Sequence, residues 1–559
     1  MISCPKTSVD TTSFKWTLHT NRMTSTESTR GIIYKDQPCW IPSHMNYGKL
    51  AIDRMLRAKD KVALIDAKTG QQITFGEVVQ LVVNAASSLI RLGVKRDEVV
   101  AVCSENRTEF LITAIATWCS GATVTFLNSA YSKNELEHTI SISKPKYVFL
   151  SPDTHNKFYS TIVGTKIVEK FYIFGDSVND PNISKFNDLI KTYVNIDNFK
   201  PVSDPINGLA QPALILYSSG TTGLPKGAKL THLNLITTVN QPSHITKDLI
   251  FLSNAPWSNT FGIMSTMDEL VNNRTIVYLT RFNVEQYLSC IQKYRIGVLL
   301  AVPPLVVTLT KSPLVQNYDV SSVEMVHCGG APLDLGVINE IKQRFKGLKH
   351  VLQGYGMTEV TGTLTEETDV ETKPGSVGKI ALGNIVKIAD IETGKALGPR
   401  QEGEVRVKGA TLFGGYIGKN LKDELDEEGF FKTGDICYYD EEGYFFFVDR
   451  IKELIKYKAG QVAPSELEAI LLQHPGVKDV GVIGKPDPMV GELPTAFVVK
   501  MPGSKVTDKE LVNFVADKVS SWKQLRGGVY FVEDIPKTPS GKILRRILRD
   551  YLKKPASKL

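Results

Sequence analysis

Ser218-Ser-Gly-Thr-Thr-Gly-Leu-Pro-Lys-Gly227 places three glycines, four hydroxyls and a lysine within ten residues. The apolar run 213–217 before it reads as a buried strand, and Thr231 after it is placed to cap a helix. Glycines at 220, 223 and 227 permit positive φ and close approach of a ligand to the backbone. Successive N–H groups in such a loop form an anion-binding nest. The hydroxyls of Ser218, Ser219, Thr221 and Thr222, with the Lys226 ammonium, add donors suited to a polyphosphate. The stretch is not a Walker A loop, because Lys226 is followed by Gly227 and not by Ser or Thr. A merely flexible surface loop has no need of these residues in this order.

Working outward, short apolar runs at 99–103, 122–127, 147–150, 172–175, 276–279 and 325–328 read as strands, and 109–118 as a helix. Their alternation predicts α/β layers with helices on both sheet faces. Past about residue 375 the text changes to short strands with Gly turns, such as 404–408 and 444–448, which predict a small β-rich unit. The last hundred or so residues read as a separate α+β unit: helix 465–473, strands 477–484 and 495–500, helix 509–519 and strand 529–532. The expected division is a disordered leader over 1–30, a large N-terminal region over 31–449 and a smaller C-terminal domain over 450–559.

Composition agrees with a folded chain. Of 559 residues, 42% are hydrophobic, and 66 basic against 59 acidic residues leave a net charge of +7. So small an excess is no nucleic-acid footprint without a clustered stripe. The seven cysteines are scattered, with no C-x-x-C pair, and read as reduced, buried thiols of an intracellular protein. The most apolar stretch, 297–309, is shorter than a membrane span and carries Pro303-Pro304, so no membrane insertion is expected.

The decade at 218–227 resembles the signature loop of the adenylate-forming superfamily, which holds acyl-CoA synthetases, 4-coumarate–CoA ligases and beetle luciferases. The resemblance extends over roughly residues 60–550, because the remaining motifs arrive in the family's order. They are Gly329-Gly-Ala-Pro332, Tyr355-Gly-Met-Thr-Glu359, Thr433-Gly-Asp435, Asp449-Arg450, Ile451-Lys-Glu-Leu-Ile-Lys456 and Pro539-Ser-Gly-Lys542. By that resemblance Ser218, Ser219, Gly220, Thr221, Thr222, Gly223 and Lys226 bind ATP phosphates. Gly329, Gly330 and Ala331 accept the flat base, and Tyr355 packs on it. Thr358 touches the α-phosphate, and Glu359 helps hold Mg²⁺. Asp435 and Arg450 contact the ribose. Lys542 serves adenylation, Lys452 is the hinge, and Lys456 and Gln461 meet the reacting centre. Ala459 and Gly460 lie beside coenzyme A, and Trp257, Ser258, Asn259, Phe261 and Gly262 form the acyl pocket.

The implied reaction is attack of a fatty or other hydrophobic, possibly aromatic, carboxylate on the α-phosphorus of Mg·ATP. Pyrophosphate leaves, and the acyl-adenylate then passes its acyl group to coenzyme A. Two positions depart from the family. Asn259 stands where many relatives carry His, which weakens a luciferase-like monooxygenase reading because Asn carries no charge near neutral pH. Ala459-Gly460 inverts the usual Gly placement, which puts the thioester step in question and keeps a catalytically weakened nucleotide- or acyl-binding relative in view. Ser557-Lys558-Leu559 matches the peroxisomal address, implying an import receptor as partner.

Overall fold

The computed structural model describes residues 32–34, 44–175, 180–202, 206–218, 224–241, 247–331, 333, 335–458, 460–538 and 541–552. The leader expected over 1–30 lies outside them, as do the tripeptide Ser557, Lys558 and Leu559.

Three sheets build the large region. The seven-stranded sheet centres on Val99–Cys103, flanked in parallel by Thr123–Leu127 and Tyr147–Leu150. These strands are buried and rich in Val, Phe and Thr, as expected of parallel strands covered on both faces. The nine-stranded sheet runs parallel through Met325–Cys328, Val298–Ala301 and Phe251–Ser253, with antiparallel pairs toward both edges. Helix Thr108–Cys119 has its whole length buried but for the first two residues. Its Trp118 packs edge-on to Tyr47, and the indole N–H donates to the Ala213 carbonyl at 2.9 Å. Burying a side chain of that size contributes on the order of 2–3 kcal/mol. The third sheet has five strands, Ile32–Tyr34 to Phe445–Arg450, all antiparallel.

The C-terminal unit has a sheet of five strands carrying helices Pro464–Leu472, Asp508–Ala516 and Arg545–Tyr551. Arg545 clasps both oxygens of the buried Glu468 at 2.7 and 2.8 Å, and Glu468 also accepts from the Val482 backbone N–H. Ser465 joins the two regions, donating its hydroxyl to the Val448 carbonyl and its N–H to Asp449.

The mixed α/β architecture read from the sequence holds, a large region followed by a smaller α+β domain. Two elements differ in detail. Lys226–Thr231 is a strand, so the glycine-rich decade closes an antiparallel hairpin with Pro212–Ser218 before the helix begins. The strand expected over 495–500 starts at Gly491, because it pairs with Val477–Asp487 along its whole length. Among the described residues, no helix is long and apolar enough to cross a membrane.

Candidate active site

The hairpin sets Ser218 directly opposite Lys226. Ser219, Gly220, Thr221, Thr222 and Gly223 lie outside the described residues. Thr231 caps helix His232–Thr238 in a reciprocal box with Asn234, as the sequence predicts. Gly227 corrects an expectation. It sits within the strand opposite Tyr217, without positive φ, and a Cβ there would lie 2.9 Å from Ile417 Cδ1. Its lack of a side chain therefore serves packing of the neighbouring segment.

Strand His350–Met357 carries Tyr355 to the end of the nine-stranded sheet, and a short turn then presents Thr358 and Glu359. Asp435 and Arg450 are cross-strand partners in the third sheet, which explains their ion pair at 2.9 Å. The Tyr355 hydroxyl donates to the other Asp435 oxygen at 2.8 Å. Asp435 is nearly fully buried, and burial raises its pKa against the opposing pull of Arg450, Tyr355 and Lys542. Glu359 is 4% exposed and accepts from the Tyr416 hydroxyl at 2.6 Å.

Gly329, Gly330 and Ala331 follow strand Met325–Cys328. Gly330 has φ of 90°, a left-handed conformation that glycine adopts without strain. A Cβ at Gly329 would stand 3.0 Å from the Phe261 ring, so this segment and the first turn of helix Thr260–Val271 face each other. Thr260 joins the same turn to Thr358 through a 2.8 Å hydroxyl contact. Ser258 and Asn259 are half-buried, and Asn259 precedes the helix without capping it through its side chain. Gly262 is buried where a Cβ would meet the Pro256 carbonyl oxygen at 2.1 Å. Trp257, expected in the acyl pocket, is fully buried, its ring packed against Tyr278 and Phe110.

Lys542 reaches this centre from the C-terminal domain. It sits on a turn where Thr538 and Lys542 exchange backbone and hydroxyl hydrogen bonds. Burial, aided by the Arg450 charge, pushes its ammonium down to about 8, although Asp435 and Glu453 act in the opposite direction. Gly541, at φ of 85°, lies against Pro304 of the large region. Lys456 and Lys452 are instead exposed. The Lys456 N–H donates to Glu492, and Lys456 faces Gln461 across a hairpin in which Gly460 lies opposite Tyr457. Ala459 lies outside the described residues.

The structure thus brings together Ser218, Lys226, Tyr355, Thr358, Glu359, Asp435, Arg450 and Lys542, with Phe261 against Gly329, and leaves Lys452 and Lys456 at the surface. Cations from separate elements surround two buried carboxylates, an arrangement able to balance a bound polyanion. Sequence reasoning missed Tyr416, whose only signal was its place after Gly414-Gly415. It also missed His327, whose ring is edge-on to Phe261 with centroids 6.3 Å apart. Burial holds that imidazole neutral, pushed down to about 4.

Comparison with known proteins identifies the family. The family model of the AMP-binding enzyme matches residues 53–417, and that of the AMP-binding enzyme C-terminal domain matches residues 466–542. The chain is 39% identical to luciferin 4-monooxygenase of Nipponoluciola cruciata, over 89% of this chain and 92% of that protein. It is 36% identical to peroxisomal OPC-8:0-CoA ligase 1 of Arabidopsis thaliana, over 88% and 90%. ATP-bound MatB from Rhodopseudomonas palustris superposes with a TM-score of 0.79 at 27% identity, over 91% of this chain and 99% of that one. With both family models matched in order and relatives aligned over nearly nine-tenths of its length, the chain belongs to the AMP-binding enzymes of the adenylate-forming superfamily.

Proposed function

We propose that this protein is an AMP-forming acid–thiol ligase that activates a hydrophobic carboxylate with ATP and transfers the acyl group to coenzyme A. The observation that carries the reading is the convergence of Asp435, Arg450, Tyr355 and Lys542, from three separate parts of the chain, on one half-buried centre. In this reading Asp435 accepts the ribose hydroxyls, Arg450 holds Asp435 in place, and Tyr355 flanks the base. Lys226, Ser218 and the loop 219–223 receive the outer phosphates, and Thr358 meets the α-phosphate. Lys542 stabilises charge that builds between the attacking carboxylate and departing pyrophosphate. A preorganised cation in such a place is worth about 10²–10³ in rate.

Among the described residues no cluster of three or more His, Cys, Asp or Glu side chains could hold a metal ion. The Glu359 carboxylate suits a hard cation that is carried mostly by phosphate oxygens. Mg²⁺ so placed would neutralise phosphate charge.

After adenylation, domain 450–559 turns about Lys452 relative to 31–449. That motion withdraws Lys542 and offers Lys456, Gln461, Ala459 and Gly460 to the coenzyme A thiol. The exposure of Lys456 and Lys452 supports this division of labour. Import into peroxisomes is part of the proposal, supported by the sequence Ser557-Lys558-Leu559 and by the similarity to the peroxisomal Arabidopsis ligase. Fluorescence microscopy of the chain with and without that tripeptide tests it.

The deciding experiment is carboxylate-dependent exchange of labelled pyrophosphate into ATP over fatty and aromatic acids, with and without coenzyme A. Exchange with thioester formation supports the ligase. The 39% identity to a luciferin 4-monooxygenase favours one second reading, an adenylating oxygenase. Asn259 argues against it, and light emission with luciferin, ATP and oxygen would establish it. Absence of exchange with any acid would leave a nucleotide- or acyl-binding relative.

A further inference from the structure

Tyr416 is not assigned by the motifs above, yet it touches two of them. Its ring is buried, and the segment around it runs along the glycine-rich hairpin: Gly414 N–H donates to Lys229 O at 2.7 Å, and Ile417 N–H to Gly227 O at 2.8 Å. The same segment is tied to the Glu359 turn, because Phe413 N–H donates to Glu359 O at 2.9 Å. The side chain repeats these links. Its hydroxyl donates to Glu359 Oε1 at 2.6 Å, with the Ser218 side chain beside it. Lys226 Nζ lies 5.0 Å from the ring centroid, within cation–π range. Ser218 and Lys226 are the paired residues on either side of the glycine-rich turn.

A phenol has one proton to give. That proton goes to Glu359, a carboxylate that is 4% exposed, so the bond is made away from bulk water. A phenol keeps its proton at neutral pH and so remains a donor. One Glu359 oxygen is thus held by the phenol, which fixes the plane of the carboxylate and the direction of the other oxygen.

We propose that Tyr416 is a positioning residue that orients Glu359 toward the divalent cation of the bound nucleotide and ties that carboxylate to both anchors of the phosphate-binding turn. This rests on the reading of Glu359 as the cation's carboxylate. A neutral ring without the hydroxyl would still fill the space beside Phe413, whose ring centroid is 4.9 Å away. The contribution of the oxygen is therefore separable from that of packing.

The test compares Tyr416→Phe, Glu359→Gln and the double variant with wild type. Mn²⁺ is titrated in the presence of α,β-methylene-ATP, and binding is read from loss of the free-ion electron paramagnetic resonance signal. The Mg²⁺ dependence of pyrophosphate exchange is measured in parallel. A hydrogen bond to a charged group contributes about 1.5–3 kcal/mol, so Tyr416→Phe should raise the half-saturating Mn²⁺ concentration by about tenfold or more. Much of the exchange rate should return at saturating Mg²⁺. Tyr416→His, whose ring N–H can still donate, should shift the same quantity by a smaller factor and carries the test if Tyr416→Phe folds poorly. Adding Tyr416→Phe to Glu359→Gln should change little, because the two act as one unit. A lowered melting temperature in Tyr416→Phe with unchanged Mn²⁺ and Mg²⁺ dependence would overturn the proposal, as would additive losses in the double variant. If Glu359→Gln itself leaves cation dependence unchanged, the underlying reading of Glu359 falls. If only Tyr416→Phe is silent, that reading survives and the role of Tyr416 does not.

Discussion

Lys542 combines two demands that oppose each other at the scale of one residue. It must be charged to meet developing negative charge, and it sits where burial pushes its ammonium down to about 8. Below that pH the buried charge is present and its desolvation disfavours the seated position. As pH rises from about 8 toward the ordinary lysine value, the folded state binds fewer protons than the unfolded chain, so this penalty is relieved. The cation is lost over the same window. Adenylation is therefore expected to fall above about pH 8, and Lys542→Arg should move that alkaline limb upward because guanidinium stays protonated. A limb at the same pH in both proteins would show that another group titrates. Lys542→Ala should leave ATP binding nearly intact while slowing pyrophosphate release by about 10²–10³, and equal single-turnover rates would remove it from the reaction. At the acyl side, Asn259→His is expected to alter preference among acids more than the KM for ATP. An effect confined to ATP would show that residue 259 faces the nucleotide.

Among the elements, the hairpin and the helix after it depend on each other. Thr231 ends the strand and caps helix His232–Thr238, and Asn234 also holds the Ala410 and Leu412 carbonyls with its amide. That cap therefore joins the hairpin to the segment leading to Tyr416. Loss of a capping hydroxyl commonly costs about 1 kcal/mol. Thr231→Ala should lower the urea midpoint by a corresponding amount, while Thr231→Ser should restore most of it. Equal destabilisation by both would mean that the methyl group's packing, and not the cap, is what Thr231 supplies. Cross-strand register works in the same way at the third sheet. Asp435 and Arg450 meet because the third sheet pairs them directly, although fourteen intervening residues carry the chain through a turn.

For the whole molecule, the contact that matters is between the two regions. Gly541 has positive φ and lies so close to Pro304 that a Cβ would approach its ring at 2.4 Å. Forcing another residue into that backbone conformation costs about 1–2 kcal/mol before any clash. Gly541→Ala is accordingly expected to slow adenylation by about tenfold or more, with little effect on thioester formation from supplied acyl-adenylate. Equal slowing of both half-reactions would mean that this contact does not distinguish two positions of the small domain.

The order of motifs, the strand–helix alternation and the identities of Ser218, Asp435, Arg450 and Lys542 are properties of the linear text, and they determined the family and the architecture. Local signals sufficed there because glycine-rich turns, caps and apolar strand runs depend mainly on neighbouring residues. Trp257 and Tyr416 show where such signals stop. An indole beside a polar segment looks like a pocket wall, yet only the packing of Phe110 and Tyr278 draws it wholly into the core. A tyrosine after two glycines carries no sign that the chain will return it to a carboxylate 57 positions away. Tertiary structure alone decided those two placements, because burial and long-range hydrogen bonds are set by what the rest of the chain places around a residue, and sequence distance says nothing of that.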